Sequence, residues 1–452
     1  MVDTIYVGVD IGKTGHYAGL ISTPLLDHHK VFSRCPAFAF SNSREGFEKL
    51  LHAIKIHVSR LKNAHVLMER TGHYGAALEQ FLQEHGVTLY RIQAMKRYGQ
   101  EKSDRRDAQA LGLRLYNQIE RRAPVTDEQE RVHRLLPPSP VATMLRGLVK
   151  HHSELTRETV RRENKLTAIC DELFPEFTQV FKKPNTLAAL AIREKFPTPQ
   201  DVARASLDDL CAARQWRYPS RGGLAQLQEL SRVTIGTKDI SRRRSLLIEQ
   251  EQLIAEWRLH QTHISRLESE ITDILANSRE GQILLSFTGV GPVTAAVLLA
   301  AIGNIANFAT IGKLRLSLGW GIRHSQTGTT FDSSKRDRAG NKQARSAIYM
   351  SVINMVTYDA AWKAIYDPLV ARMCPFDVKR GEYVGKTRVI GRIAGQFIGL
   401  LYRLLKKDAD LLTGLPPGSD LPAPELYSVE KHLRAIGRTH RTHAVAPSAA
   451  AL

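Results

Sequence analysis

Cysteine is scarce in this 452-residue chain, which carries only Cys35, Cys170, Cys211 and Cys374 and no CxxC pair. That scatter argues against a zinc module or a disulfide framework and fits a reducing compartment. Long apolar runs are missing as well. No stretch approaches the roughly 20 residues of a membrane span, and Met1-Val2-Asp3 opens without the basic and apolar regions of a secretory signal. No solenoid-type repeat is visible. Acidic residues fall short of basic ones, 45 Asp plus Glu against 64 Lys plus Arg, leaving a net charge of +19. A surplus of that size selects polyanionic partners, nucleic acid first. Because it is spread along the chain rather than gathered at one amphipathic end, a membrane-surface role is disfavoured.

What is present is enough apolar residue, 43%, for more than one core. Residues 4–10 are rich in β-formers, and 16–23 and 29–34 read as neighbouring strands. Residues 43–61 have helical periodicity, with Phe47, Leu50, Leu51 and Ile54 on one face. A strand at 64–69, a helix near 76–84, a strand at 87–92 and a helix from about 104 to 116 follow. Three strands and then alternating helices and strands is the order of a ribonuclease-H-like fold. The middle is helical. Leu145, His152, Thr159, Leu166 and Leu173 recur every seven residues, and Leu253, Trp257, His260, Ile264, Leu267, Ile271 and Ile274 form a coiled-coil seam. That seam serves equally for self-association or for pairing within the chain. Residues 198–221 read as a looser insert. The predicted fold class is α/β plus α, with a catalytic domain at 1–125, a long helical or coiled-coil region at 126–280, a mostly helical domain at 281–408 and a weakly ordered tail at 409–452.

Four acids stand out. Asp10, in Gly8-Val9-Asp10-Ile11-Gly12-Lys13, and Glu69, in Val66-Leu67-Met68-Glu69, each close a predicted strand. Taken singly, each reads equally as a turn or strand-end acid. Asp104 and Asp107 lie three apart, so a helix places both on one side. Like charges there repel, although first-turn Asp also complements the helix dipole. Two-metal phosphodiester chemistry needs several carboxylates converging on one point, carboxylates at two strand tips and on one helix face can meet there, and hard oxygen ligands suit Mg²⁺.

Further on, Gly289-Val290-Gly291-Pro292 between helical stretches has a helix-hairpin-helix layout, whose turn amides can hold a DNA phosphate. It reads equally as a tight connection with Pro292 at the first helical position. In residues 335–345, Lys335, Arg336, Arg338, Lys342 and Arg345 surround a Gly-Asn turn, as a phosphate-gripping surface or a solvated basic loop would.

The run Met68-Glu69-Arg70-Thr71-Gly72-His73-Tyr74-Gly75, followed by Lys102-Ser103-Asp104-Arg105-Arg106-Asp107-Ala108, resembles the signature of the DEDD insertion-sequence transposases. These are bridge-RNA-guided recombinases whose relatives include the Piv-type DNA invertases. The opening around Asp10 fits too, and the likeness covers most of 4–120 and resumes at 281–355. The resemblance implies a RuvC-like domain in which Asp10, Glu69, Asp104 and Asp107 bind Mg²⁺ or Mn²⁺. It implies cleavage and exchange of double-stranded DNA at element ends and target, and a hydroxyl nucleophile that forms a phospho-protein intermediate. A non-coding bridge RNA, a homo-oligomer (dimer or tetramer) and a cytoplasmic, nucleoid-associated setting in a bacterium follow in the same way. In that family a Ser-Gly pair ahead of the Gly-Asn segment supplies the nucleophile. Here Thr327-Gly328 occupies the place and Ser325 precedes it by two. Ser325 is favoured as a primary alcohol beside His324, with Thr327 or a defective copy as alternatives. A metal nuclease using water, or a non-catalytic nucleic-acid-binding derivative, remains the rival reading. The second would be marked by a missing acid, and none is missing.

Overall fold

Alternation along Ile5–Ile11 builds the central strand, β1, because its β-branched residues at every second position find one apolar layer. The computed structural model describes residues 3–69, 74–92, 103–125, 132–214, 216–327, 331–336, 340–416 and 419–444, with backbone only for 322–327, 331–336 and 438–444. The chain divides into two units, Met1–Ser139 with Asn304–Ala309 and Pro140–Gly303 with Thr310–Leu452.

In the first unit β2 (Gly15–Ile21) returns antiparallel to β1. The expected strand at 29–34 is not there. Ser22 Oγ accepts the Leu25 N–H and Pro24 fits the first turn, so 23–29 becomes a helix, α1 (Thr23–His29), followed by a 3-10 turn at Phe32–Arg34. The third strand is β3 (Ala37–Ser41), where Ala37-Phe38-Ala39-Phe40 alternates. Then come α2 (Arg44–His57), β4 (Ala64–Glu69), α3 (Ala76–Glu84), β5 (Thr88–Ile92), α4 (Asp104–Ile119) and the short β6 (His133–Arg134). The sheet order is β3-β2-β1-β4-β5-β6, with β1, β4 and β5 parallel and the others antiparallel to their neighbours.

The two faces are covered differently. Ile5, Val7, Val9, Val66 and Met68 pack with Phe47, Leu50, Leu78 and Leu82 of α2 and α3. Tyr6, Leu67, Tyr90 and Ile92 face α4 through Leu111, Leu115 and Tyr116. Here α4 approaches the sheet over a cross-strand glycine pair, Gly8 opposite Gly19. A Cβ on Gly8 would lie 2.1 Å from the Ala108 carbonyl oxygen, and one on Gly19 2.6 Å from the Gln109 backbone.

The second unit opens with α5 (Pro140–Leu173), α6 (Phe177–Val180), α7 (Leu187–Lys195), α8 (Pro199–Arg204), α9 (Leu207–Arg214), α10 (Arg221–Arg232) and α11 (Ile240–Ala276). The coiled-coil seam faces α5 of the same chain. Leu253 and Trp257 pack with Leu166, Ile169 and Leu173, while Arg242–Glu172, Arg162–Glu256 and His152–Glu268 contacts fix an antiparallel pair. The insert expected to be loose is packed, because Val202 and Leu210 bury fully in one cluster with Phe177, Phe181, Leu224 and Leu227. Beyond it lie α12 (Arg279–Leu285), α13 (Pro292–Ile302), α14 (Ile311–Ser317), the ribbon β7 (Ile322–Thr327) and β8 (Phe331–Arg336), and α15 (Lys342–Tyr358). The chain then forms α16 (Ala360–Met373), a two-residue ribbon of β9 (Phe376–Asp377) and β10 (Glu382–Tyr383), α17 (Thr387–Gly414) and α18 (Val429–Ala444).

The segment from 409, expected to be weakly ordered, is helical to Gly414 and again in α18. Tyr427 supplies the reason. Its ring stacks on Phe287 at 4.6 Å and its hydroxyl donates to Asp359 Oδ2, so distant packing overrides a Pro- and Gly-rich local sequence. Residues 445–452 lie outside the described residues.

The glycine contact generates a direct test. In Gly8→Ala the nearest atoms are helix backbone and cannot swing aside, so the first unit should lose about 1–3 kcal/mol or more, read as a lower urea midpoint. An unchanged midpoint would mean that α4 does not rest on β1 at this position.

Candidate catalytic carboxylates and nucleic-acid interface

Strand parity assigns the acids of the sheet to a face. Tyr6, Gly8 and Asp10 share one side of β1, and Leu67 and Glu69 share one side of β4, the side that α4 covers. β1 and β4 are parallel neighbours with Val9 opposite Met68, so Asp10 and Glu69 come to adjacent C-terminal strand ends. The helix runs antiparallel to β1. Tyr6 meets Tyr116 and hydrogen-bonds to Glu120, whereas Gly8 lies under Ala108 and Gly112. Two strand residues further on equal about four helix residues, so the helix position level with Asp10 is near 104–108. Asp104 and Asp107, in the first turn of α4, are therefore brought to the sheet end and face where Asp10 and Glu69 stand.

Asp10, Glu69 and Asp107 are half-buried and Asp104 is exposed. The first three engage neighbouring groups. Ser103 makes no side-chain cap, and Asp104 and Asp107 place negative charge at the positive N-terminal end of the α4 dipole. Among the described residues no three His, Cys, Asp or Glu side chains are drawn together tightly enough to hold a metal ion. The donor set itself, carboxylate oxygens only, suits a hard divalent cation and neither zinc nor a soft metal.

His16 escaped the sequence reading. It is 1% exposed beside Phe40 and Phe47, and the Gly12 N–H donates to its Nδ1 at 3.2 Å, closing the turn that follows Asp10. Gly19 was missed too. Neither has a local signal, since one is an isolated histidine and the other a glycine whose meaning depends on its partner across the strand.

In the second unit, β7 and β8 pair with Ser325 opposite Ser333 and Thr327 opposite Phe331. Ser325 and Thr327 hold same-face positions two apart, and Lys335 and Arg336 end β8. Gly328 and Arg338 lie outside the described residues. Asn341 caps α15 by accepting the Ala344 N–H, which puts Lys342 and Arg345 in its first turn, the former exposed. The two glycines of the helix-hairpin-helix-like turn differ. Gly289 has φ +88, and a Cβ there would meet Asn354 and Met355 of α15, so this residue is required for packing. Gly291 caps α13 and faces open space, leaving room for a ligand at its amides.

Known proteins align with this arrangement. A model of DEDD-type IS110 transposases, described as "Transposase", matches residues 7–175, and one described as "Transposase IS116/IS110/IS902 family" matches 281–367. Together they span more than half of the chain. The insertion element IS110 uncharacterized 43.6 kDa protein of Streptomyces coelicolor is 25% identical over 443 residues, covering 93% of this chain and 98% of its own. The insertion element IS116 uncharacterized 44.8 kDa protein of Streptomyces clavuligerus is 21% identical, over 92% of this chain and 98% of its own. The pilin gene-inverting protein of Moraxella bovis is 22% identical, over 89% and 96%.

Burial of His16 sets a pH dependence. It pushes the imidazole pKa below the ordinary 6.5, because the charged form is poorly solvated there. Below that ordinary value the unfolded chain takes up a proton that the folded one refuses. The stabilisation present above 6.5 is therefore lost as pH falls through the folded value. Between about pH 7.5 and 5.5 the wild-type urea midpoint should fall more steeply than that of His16→Phe. Parallel curves would remove His16 as a source of acid sensitivity.

Proposed function

The chain belongs to the IS116/IS110/IS902 family of transposases, and from that premise we propose that it exchanges DNA strands by metal-assisted transesterification at its four acids, guided by a non-coding RNA. It is a DNA recombinase, and DNA is its substrate. The catalytic domain is read as ribonuclease-H-like, a RuvC-like unit, supported by the β3-β2-β1-β4-β5 order with parallel β1, β4 and β5. What supports the mechanism is that Asp10 and Glu69 stand near the ends of the neighbouring strands β1 and β4, and Asp104 and Asp107 in the first turn of α4, the helix that covers that face.

Those four carboxylates would hold Mg²⁺ or Mn²⁺, which when bound polarises the scissile phosphate and offsets its charge. The remaining chemistry belongs to the chain. The hydroxyl of Ser325, or of Thr327, attacks phosphorus, a P–O bond to the protein forms as the P–O bond to the leaving strand breaks, and a base carries the proton from the attacking hydroxyl to the leaving oxygen. His324 holds the opposite-face position of β7 and is not read as that base. The ester bond is conserved, and a strand hydroxyl then reverses the attack to join a new partner. Lys335, Arg336, Arg338, Lys342 and Arg345, with the Gly291 amides, are read as grips on phosphate. Gly289 supports that turn from behind. Two DNA partners must be held at once, which calls for a dimer or tetramer. No described helix is long and apolar enough to cross a membrane.

Two measurements test this reading. Asp107→Asn should lower strand cleavage by about 10²–10³-fold or more while leaving DNA binding intact, because it removes charge from the reacting site and no DNA contact. Cleavage close to wild type would sink the four-acid site. Stalling exchange on a nicked target and mapping the covalent adduct by mass spectrometry should find phosphate on Ser325, or on Thr327 if the substitution is direct. Cleavage with no adduct would mean water is the nucleophile and the protein is a nuclease.

A further inference from the structure

Neither family model matches residues 176–280, yet all but Leu173 of the residues lining a polar cavity of about 190 Å³, where the ends of α5, α8, α10 and α11 meet, belong to this stretch. It is smaller than the roughly 300 Å³ at which pockets begin to enclose whole small molecules, so its occupant is a group rather than a molecule. Arg232, Lys238, Arg243, Gln200, Ser231 and Thr237 line it, and among the described residues lining it there is no carboxylate.

The nearby acids are already committed. Glu172 takes both arms of Arg242 at 2.6 and 2.7 Å. Glu176 accepts the Thr234 hydroxyl and the Ile235 N–H, and Asp239 caps α11 through the Ser241 and Arg242 N–H groups. Arg232 is paired with Glu229. Arg243 reaches only the neutral Gln200 at 3.2 Å, and exposed Lys238 has no carboxylate partner among the described residues. Two cations thus line a cavity that no described carboxylate lines, beside the Gln200 amide and the Thr237 hydroxyl. Val233 lines it and is 72% exposed, and Ile235 and Ile240, 82% and 80% exposed, are close in sequence to its lining residues Gly236 and Lys238.

We propose that this cavity is a second phosphate-binding point for duplex DNA, with Lys238 and Arg243 holding a backbone phosphate and the three aliphatic side chains lying on the adjacent deoxyribose. Charge supplies affinity without base reading. The apolar rim favours a sugar without a 2′-hydroxyl, which selects DNA over RNA. α11 is about 55 Å long at 1.5 Å per residue, so a site at its start extends the DNA footprint well away from its other end. The proposal rests on DNA being the substrate.

The experiment uses the full chain and generic duplex DNA, comparing wild type with Lys238→Gln/Arg243→Gln. The double variant should weaken binding equally on unrelated sequences and lower the slope of log K against log salt by about two units. Arg243→Lys, which keeps the charge and loses the Gln200 contact, should retain nearly the full slope. Lys55→Gln/Lys62→Gln, an equal charge change on the first unit, should leave it near wild type. An unchanged slope in the folded double variant, or an equal drop in the control pair, overturns the site. So does a loss confined to single-stranded RNA or to phosphatidylserine vesicles. Wild-type protein that binds no DNA at all would instead bring down the transposase reading, and this one with it.

Discussion

The contact of α4 on the Gly8–Gly19 pair sets where the acids can stand. A helix normally rests on a sheet through two layers of side chains, and its axial position is then adjustable by repacking. Here the helix backbone touches strand backbone, with no side chain between them at that point. Sliding α4 by one turn would bring a different backbone group onto Gly8 and misplace Tyr116 from Tyr6. The contact therefore fixes how far Asp104 and Asp107 reach past the strand ends. Few single interactions in the first unit leave so little slack.

That rigidity bears on the electrostatics of α4. Asp104 and Asp107 lie three apart in its first turn, where like charges repel. The dipole of α4 offsets part of that repulsion, because both helix acids occupy its positive end. The second unit uses a comparable device with opposite chemistry. Arg193, 4% exposed, satisfies its donors on Gln250, Asn185 and the Leu166 and Pro184 carbonyls, pinning α5, α7 and α11 together without any carboxylate.

How much of this was legible in the sequence follows the range of each interaction. β1, β4, α2 and α4 were readable because period-two and period-3.6 patterns are local, and the same patterns put all four acids at element ends. The third strand was misplaced because the Ser22 cap and Pro24 start a helix at 23–29, so the chain passes 29–34 as a helix end and a 3-10 turn and reaches the sheet only at Ala37. The seam of α11 was visible, but periodicity cannot say whose helix fills it; the ion pairs to α5 answer that. The C-terminal segment looked loose because its order comes from Tyr427 reaching Asp359 and Phe287, contacts about 70 and 140 residues away in sequence. Gly19 and His16 were illegible for the same reason.

In the proposed reaction, the ribbon of β7 and β8 constrains the nucleophile more than the residue names do. A shift of one residue would move a hydroxyl to the opposite face, whereas Ser325 and Thr327 differ by two and keep the same face. This explains how one could stand in for the other in the course of sequence change. They are not interchangeable at one moment, however. Two strand residues separate them by about 6.8 Å, far more than the ångström-scale tolerance of an in-line attack on phosphorus. In the proposed reaction the DNA must sit in the register that suits one hydroxyl, and the other then stands one strand repeat away.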